Sequence, residues 1–347
     1  MLSRRDVKAL NTAPSRRAVL RGLASAASAL TLGAPLGGCA SGLLSASPSP
    51  DAAELSTNPT LLVATTRKPV NGARERPWFG SERAKMSVAR ARVTPPSEGR
   101  FSLSAVGLGD WQLDAIEPAP QIGDLFGPPG AARDVLIHVH GYNTSFEAAV
   151  LDAARISDGI RFRGETMAFS WPSRAKLSEY IYDRESAMWS RDALEQVFAG
   201  LMASPTTGRI HVVAHSIGTM LAMESLRQIY ARQGAAAADR IGAVVFASPD
   251  IDMDGFRSSV ERVGRLASKI VVVTATNDRA LAVSSFLAGG ITRVGAAEKA
   301  ELTRLGLHVI DASQQGWGII NHDLFLSNDK VRQVIRRAID GLPVDGA

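Results

Sequence analysis

From residue 135 to residue 311 the sequence repeats one alternation. Short apolar runs, rich in β-branched residues, are followed by longer stretches with apolar positions three and four apart. The runs are 135–140 (V-L-I-H-V-H), 166–171, 210–214, 241–247, 269–274 and 307–311. The periodic stretches are 146–161, 184–203, 217–232, 253–267 and 330–339. A run apolar on both faces must be covered on both sides, which is the condition of a parallel strand. The segments between the runs are long enough for crossover helices rather than hairpins. The expected class is therefore α/β, with a mostly parallel central sheet and helices on both faces. Upstream, 61–66 reads as a strand, 89–93 as a second that begins as early as 86, and 101–106 as its partner. The Pro- and Gly-rich stretch 118–130 reads as a loop.

Charge narrows the choice of partners. The 39 Lys and Arg against 34 Asp and Glu give a net +5. Six of those bases (Arg4, Arg5, Lys8, Arg16, Arg17, Arg21) and one acid (Asp6) fall within the first 39 residues. The remainder is balanced, so no nucleic-acid partner is expected, because phosphate binding needs clustered excess cation.

The leader is informative in its own right. Arg16-Arg17 followed by apolar residues resembles a twin-arginine export signal, so the export machinery is an expected partner during biogenesis. Residues 22–50 carry no charge and are too weakly apolar for a transmembrane helix. Leu36-Gly37-Gly38-Cys39 resembles a bacterial lipobox, which implies cleavage before Cys39 and acylation of its thiol and amine. Each buried CH₂ contributes ~0.8 kcal/mol, so two or more chains hold firmly. The chain thus divides into a signal peptide (1–38), a Ser/Pro/Ala-rich tether (39–58) and one domain (59–345). The expected location is the cell envelope, lipid-anchored at the membrane. An outer membrane is favoured because Ala40-Ser41 lacks the aspartate of inner-membrane retention. A single cysteine leaves no disulfide framework or thiolate cluster. His138, His140 and His215 are an imaginable imidazole set, but His-x-His on a buried strand is common without metal. No metal or cofactor is expected.

The sharpest chemical signal is Ala214-His215-Ser216-Ile217-Gly218, set between a strand and a helix. This is the context of the G-x-S-x-G turn, in which a strained backbone presents a serine nucleophile. A serine needs a base, and the base needs an orienting carboxylate. Two histidines lie downstream. His308 sits inside the last strand, where it should face core or sheet, whereas His322 lies in a polar loop after it, so His322 is the preferred base. The acid should end a strand between serine and base. Asp278 does so, with Asp250 and Asp252 as alternatives whose bland role is capping the next helix. The oxyanion donors expected are the backbone N–H groups of Ile217 and Tyr142, the latter in the loop His140-Gly141-Tyr142-Asn143. His140 itself is assigned to that loop's structure.

Six strings together are more specific than any one motif: V-H-G-Y-N-T-S-F-E, F-S-W-P-S-R, Y-D-R-E-S-A-x-W-S-R, V-A-H-S-I-G-T, A-S-P-D-I-D and N-D-R-A-L. With the earlier T-R-K-P and F-G segments, they resemble a bacterial alpha/beta-hydrolase family of unknown function, described as esterase- or lipase-like. The resemblance spans about residues 59–340. It implies the alpha/beta-hydrolase fold, and by position it supports Ser216, Asp278 and His322. Two departures stand out: Ala214 replaces the first glycine, and Asn321-His322-Asp323 stands where Gly-His-Ser is expected. Other readings are blander. Tyr182 to Ser186 starts a helix with acids near its positive end, Trp171 and Trp189 are core or pocket wall, and 281–287 and 118–130 are candidate lids. The expected function is hydrolysis of carboxylic esters, either of small acyl esters or of lipids. The alternatives are a catalytically silent binding scaffold, or amide or thioester hydrolysis by the same groups.

Overall fold

The computed structural model describes residues 60–96, 111–125, 131–274, 281, 284–285, 290–313 and 328–344. Nine strands are described: β1 (Thr60–Pro69), β2 (Phe79–Thr94), β3 (Gln112–Ala119), β4 (Arg133–Val139), β5 (Glu165–Ser170), β6 (Thr207–His215), β7 (Ile241–Ala247), β8 (Ile270–Thr274) and β9 (His308–Asp311). They form one sheet in the order β3-β2-β1-β5-β4-β6-β7-β8-β9. From β1 to β9 every pairing is parallel, while β1–β2 and β2–β3 are antiparallel. This is the expected mostly parallel sheet, extended by an antiparallel flank.

Eight α-helices are described: α1 (Phe146–Gly159), α2 (Tyr180–Trp189), α3 (Arg191–Ala203), α4 (Ile217–Gln233), α5 (Ala235–Arg240), α6 (Met253–Arg262), α7 (Lys299–Thr303) and α8 (Asp329–Ile339). Alternate strand residues feed two cores. Ile137, Val212, Val244 and Phe246 face one side with Leu194, Phe198, Leu221 and Phe256 of the helices there. Leu136, Val213, Val245 and Val271 face the other with Ile156, Val331, Val334 and Ile335. Each such fully buried side chain contributes about 1.5–3 kcal/mol, so both faces of the central strands are committed to packing.

Several local expectations are corrected. The stretch 184–203 is two helices, and the first begins earlier, at Tyr180. Ser190 divides them: its hydroxyl donates to Ser186 O (2.8 Å) and lies 2.8 Å from Thr66 Oγ1. Such a back-bonding serine bends a helix. The stretch 253–267 likewise ends as α-helix at Arg262 and continues as a 3-10 segment, Gly264–Lys269. Pro118 and Ala119 belong to β3 rather than to a loop. Pro118 pairs with Ala89, and a proline is tolerated there because β3 is the edge strand among the described residues. The described partner of β2 is thus 112–119, and 101–106 lies outside the described residues. Trp189 is 45% exposed and belongs to no core. His308 is exposed at the first position of β9, in a groove with Arg209 and Lys269 at the amino end of the sheet.

Four histidines, His138, His140, His211 and His215, are buried in or directly after the central strands. Burial holds His138 down to about 4, and it holds His140 and His211 below the ordinary imidazole range. A base depressed in the folded state takes up its proton first in the unfolded chain. Stability should therefore fall as pH drops below about 6.5, by about 2 kcal/mol at pH 5 for His138 alone, with His140 and His211 adding in the same direction. Urea unfolding across this range should show that slope, and His138→Gln should reduce it. A stability unchanged between pH 7 and pH 5 would contradict the burial of neutral imidazoles.

Candidate active site

Ser216 lies at the turn between β6 and α4, at the carboxyl edge of the parallel strands. Its backbone has φ 51 and ψ −125, a region that side chains with a Cβ rarely adopt. Four contacts hold it there, one of them from Thr219 N–H to Ser216 O (3.0 Å). Ser216 N–H donates to Ala247 O (3.0 Å), and Ser216 O accepts from Thr219 Oγ1 (2.6 Å) and from Asp250 N–H (3.2 Å). Although Ser216 occupies the N-cap position of α4, its side chain makes no capping hydrogen bond. The helix-capping role is therefore not what its hydroxyl performs.

Small neighbours make the turn possible. A Cβ on Gly218 would stand 2.3 Å from His140 O and 2.7 Å from Val139 O, both backbone atoms. A Cβ on Gly141 would stand 2.6 Å from His215 Nδ1 and 3.0 Å from Ser216 Cβ. Gly141 is thus required for space, and the loop after β4 lies directly against Ser216. Ala214, at the place of the expected first glycine, is fully buried, so its methyl is accommodated within the sheet.

The loop 140–144 is held from several sides. The His140 ring stacks on Trp171 (centroids 4.5 Å, 14°), and Trp171 Nε1 donates to His140 O (2.8 Å). His140 Nδ1 lies 2.8 Å from Gly141 O and Nε2 lies 3.1 Å from Trp171 O. Burial, with the Arg67 cation adding to it, keeps the ring neutral, so it donates to one oxygen only; the shorter contact favours Gly141. A trans peptide carries its C=O and N–H on opposite sides. With Gly141 O turned toward His140, Tyr142 N–H points away from it. Among the described residues, no acceptor meets the N–H of Tyr142 or of Ile217. Burial, followed by the Asp183 and Glu179 carboxylates, pushes the Tyr142 phenol up to about 12, so it stays protonated.

The two alternative acids separate clearly. Asp252 caps α6, accepting from Gly255 N–H (2.7 Å). Asp250 does not cap. It is buried, with Oδ1 accepting from Ser284 Oγ (2.6 Å) and lying 3.1 Å from Arg293 Nε, and with Oδ2 accepting from Tyr180 OH (2.8 Å). Burial and Asp250 raise Tyr180 to about 12. Asp278, His322, Cys39, Arg16 and Arg17 lie outside the described residues. Leu281 and Ser284, within the candidate lid 281–287, are buried.

Sequence reasoning passed over Arg67, Asp183, Tyr180 and Arg293, all near this edge. Arg67 is 1% exposed, and burial brings it down to about 9 against the pull of Asp183, still cationic at neutral pH. Burial raises Asp183 despite three hydrogen bonds to it. The T-R-K-P string flagged Arg67 without a role, and Asp183 was read only as an acid in a first helical turn. Arg293 had no signal, since its partner Asp250 is 43 positions away and only the fold joins them.

The tightness at Gly218 is testable. Gly218→Ala should lower stability by about 1–3 kcal/mol, since backbone must move to admit the methyl. Gly123→Ala, where the added Cβ meets nothing within 4 Å, should be close to neutral. Thermal unfolding of both variants checks this, and equal Tm values would contradict the geometry.

The profile of the family described as "Alpha/beta hydrolase of unknown function (DUF900)" matches residues 129–338. An uncharacterized protein of Nostoc sp. (strain PCC 7120) is 24% identical over 124 residues, which cover 28% of this chain and 32% of that one. The chain thus spans about a third of that relative's length. Among solved structures, it is similar to a thermostable esterase from Pseudomonas putida ECU1011 (12% identity, 81% of this chain and 82% of that one, TM-score 0.34). It is also similar to an esterase from Pyrobaculum calidifontis (13% identity, 73% and 80%, TM-score 0.32). The family match covers the strands from β4 onward together with the Ser216 turn, and the chain belongs to this alpha/beta-hydrolase family.

Proposed function

We propose that this hydrolase cleaves carboxylic esters with Ser216 as nucleophile, His322 as base and Asp278 as the carboxylate that orients it. The observation that carries the reading is the positive-φ backbone of Ser216 at a strand-to-helix turn, near which the N–H groups of Tyr142 and Ile217 meet no acceptor among the described residues. Ser216 Oγ attacks the ester carbonyl while His322 takes its proton. The two N–H groups hold the oxyanion of the tetrahedral intermediate. As it collapses, His322 returns the proton to the departing alcohol, leaving an acyl-serine. Water, deprotonated by His322, then releases the acid and restores Ser216. Asp278 is favoured over Asp250 because both oxygens of Asp250 are already engaged by Ser284, Tyr180 and Arg293. The substrates are small acyl esters or acyl lipids. The enzyme works from the cell envelope, exported through the Arg16-Arg17 signal and anchored through lipidated Cys39.

Hydrolysis of p-nitrophenyl esters of graded acyl length tests the chemistry. Ser216→Ala should reduce kcat by as much as ~10⁶-fold, and Asp278→Asn by about 10⁴-fold without loss of stability. Asp250→Asn should instead destabilise the fold, by about 3–5 kcal/mol, by stranding the buried Arg293. Wild-type turnover no faster than Ser216→Ala would sink the reading, and activity on amides or thioesters alone would move it to those substrates. For location, Cys39→Ser should shift the protein from the membrane to the soluble fraction, and unchanged fractionation would contradict the anchor.

A further inference from the structure

Four sequence strings have no task in the chemistry above: Thr66-Arg67-Lys68-Pro69, Phe79-Gly80, Ser170-Trp171-Pro172-Ser173 and Tyr182-Asp183. Groups from all four meet beside the loop 140–144. Arg67 donates from Nε to Ser170 Oγ (2.8 Å), from Nη1 to Ser173 O (2.9 Å) and Gly80 O (3.3 Å), and from Nη2 to Thr144 O (2.7 Å). Asp183 accepts at Oδ2 from Asn143 N–H (3.1 Å) and Ser173 Oγ (2.6 Å), and at Oδ1 from Arg174 N–H (2.9 Å). Ser173 Oγ bridges the two halves, accepting from Thr144 N–H (3.1 Å).

The loop backbone is therefore tied at the Gly141–Tyr142 peptide itself and at the peptides that follow it. Upstream, Gly141 O is held by His140. Downstream, Asn143 N–H, Thr144 N–H and Thr144 O are held by Asp183, Ser173 and Arg67. Asn143 itself sits at φ 58, a conformation with a cost that the Asp183 bond offsets. The N–H left between these ties is that of Tyr142. Apolar side chains would fill the same space at no greater cost in stability, since buried charges lose much of their attraction to desolvation. What a guanidinium and a carboxylate add is several directed bonds to backbone atoms.

We propose that Arg67 and Asp183, bridged by Ser173, are positioning residues for the oxyanion donor, holding the loop so that Tyr142 N–H meets the developing oxyanion over Ser216. The assignment rests on the ester-hydrolase reading. It acts on the transition state and leaves substrate binding alone. The loss on disrupting it therefore belongs in kcat, with KM unchanged, and in the affinity of an analogue that forms a tetrahedral adduct with the serine.

The test uses the full-length protein with Asp183→Asn, Arg67→Lys and Ser173→Ala, measuring kcat and KM on p-nitrophenyl butyrate and Ki for butylboronic acid. Misplacing a donor by about 1 Å costs ~10²-fold, so Asp183→Asn and Arg67→Lys should each lower kcat by roughly that factor. Their KM should stay within about twofold, and Ki should rise in step with the loss of kcat/KM. Ser173→Ala, the mildest change, should lose about tenfold and decides the matter if the other two fail to fold. Active wild type with unaltered kcat and Ki in Asp183→Asn and Ser173→Ala overturns this assignment alone, as does a loss confined to KM. A wild type as inert as Ser216→Ala overturns the hydrolase reading and this assignment with it.

Discussion

The backbone at Ser216 is the constraint on which the edge of this sheet is built. A residue with a Cβ at φ 51 sits in a region that costs of order 1–3 kcal/mol. It persists because strand β7 accepts its N–H while Thr219 and Asp250 donate to its carbonyl. Those bonds bring β6, β7 and the start of α4 close enough that neighbouring side chains must shrink. Gly218 packs on the carbonyls that end β4, and Gly141 packs on His215 and Ser216. The serine turn and the loop after β4 are therefore one packing unit.

The chain's buried charges are placed in keeping with that unit. The centre of the sheet is covered by apolar side chains on both faces, yet Arg67, Asp183, Asp250 and Arg293 are all buried. Arg67 and Asp183 are spent largely on backbone atoms of loops that no strand ladder holds. Asp250 and Arg293 tie the segment after β7 to residues 284 and 293, which follow β8. Regular structure satisfies its own peptide groups, whereas loops at the end of a sheet need side chains to do so.

The parallel core was legible because its strands carry near-continuous apolar runs and its helices carry a clean 3.6-residue period. The runs at 135–140, 210–214 and 241–247 correspond to β4, β6 and β7 within a residue or a few. The antiparallel flank was harder. Strand β2 runs for sixteen residues and mixes basic and small residues, because it lies between β1 and an edge strand. Pro118 looked like a loop residue because its missing N–H matters only if the strand has a neighbour on that side. The Ser190 break was hidden because both helices bury apolar residues in the same core, so the periodicity continues through it. In the site, the serine turn and the glycine loop announced themselves through small residues at fixed offsets. Arg67 and Asp183 did not, because their roles consist of contacts 77 and 40 residues away in sequence.

The central claim, that this strained turn arms Ser216 as a nucleophile, is tested most directly by locating a covalent adduct. The full-length protein would be treated with a fluorophosphonate, digested, and the modified peptide identified by mass spectrometry. The account predicts a single adduct on the peptide bearing Ser216, absent after heat denaturation. Labelling spread over several serines, or none on the Ser216 peptide of the folded protein, would contradict it.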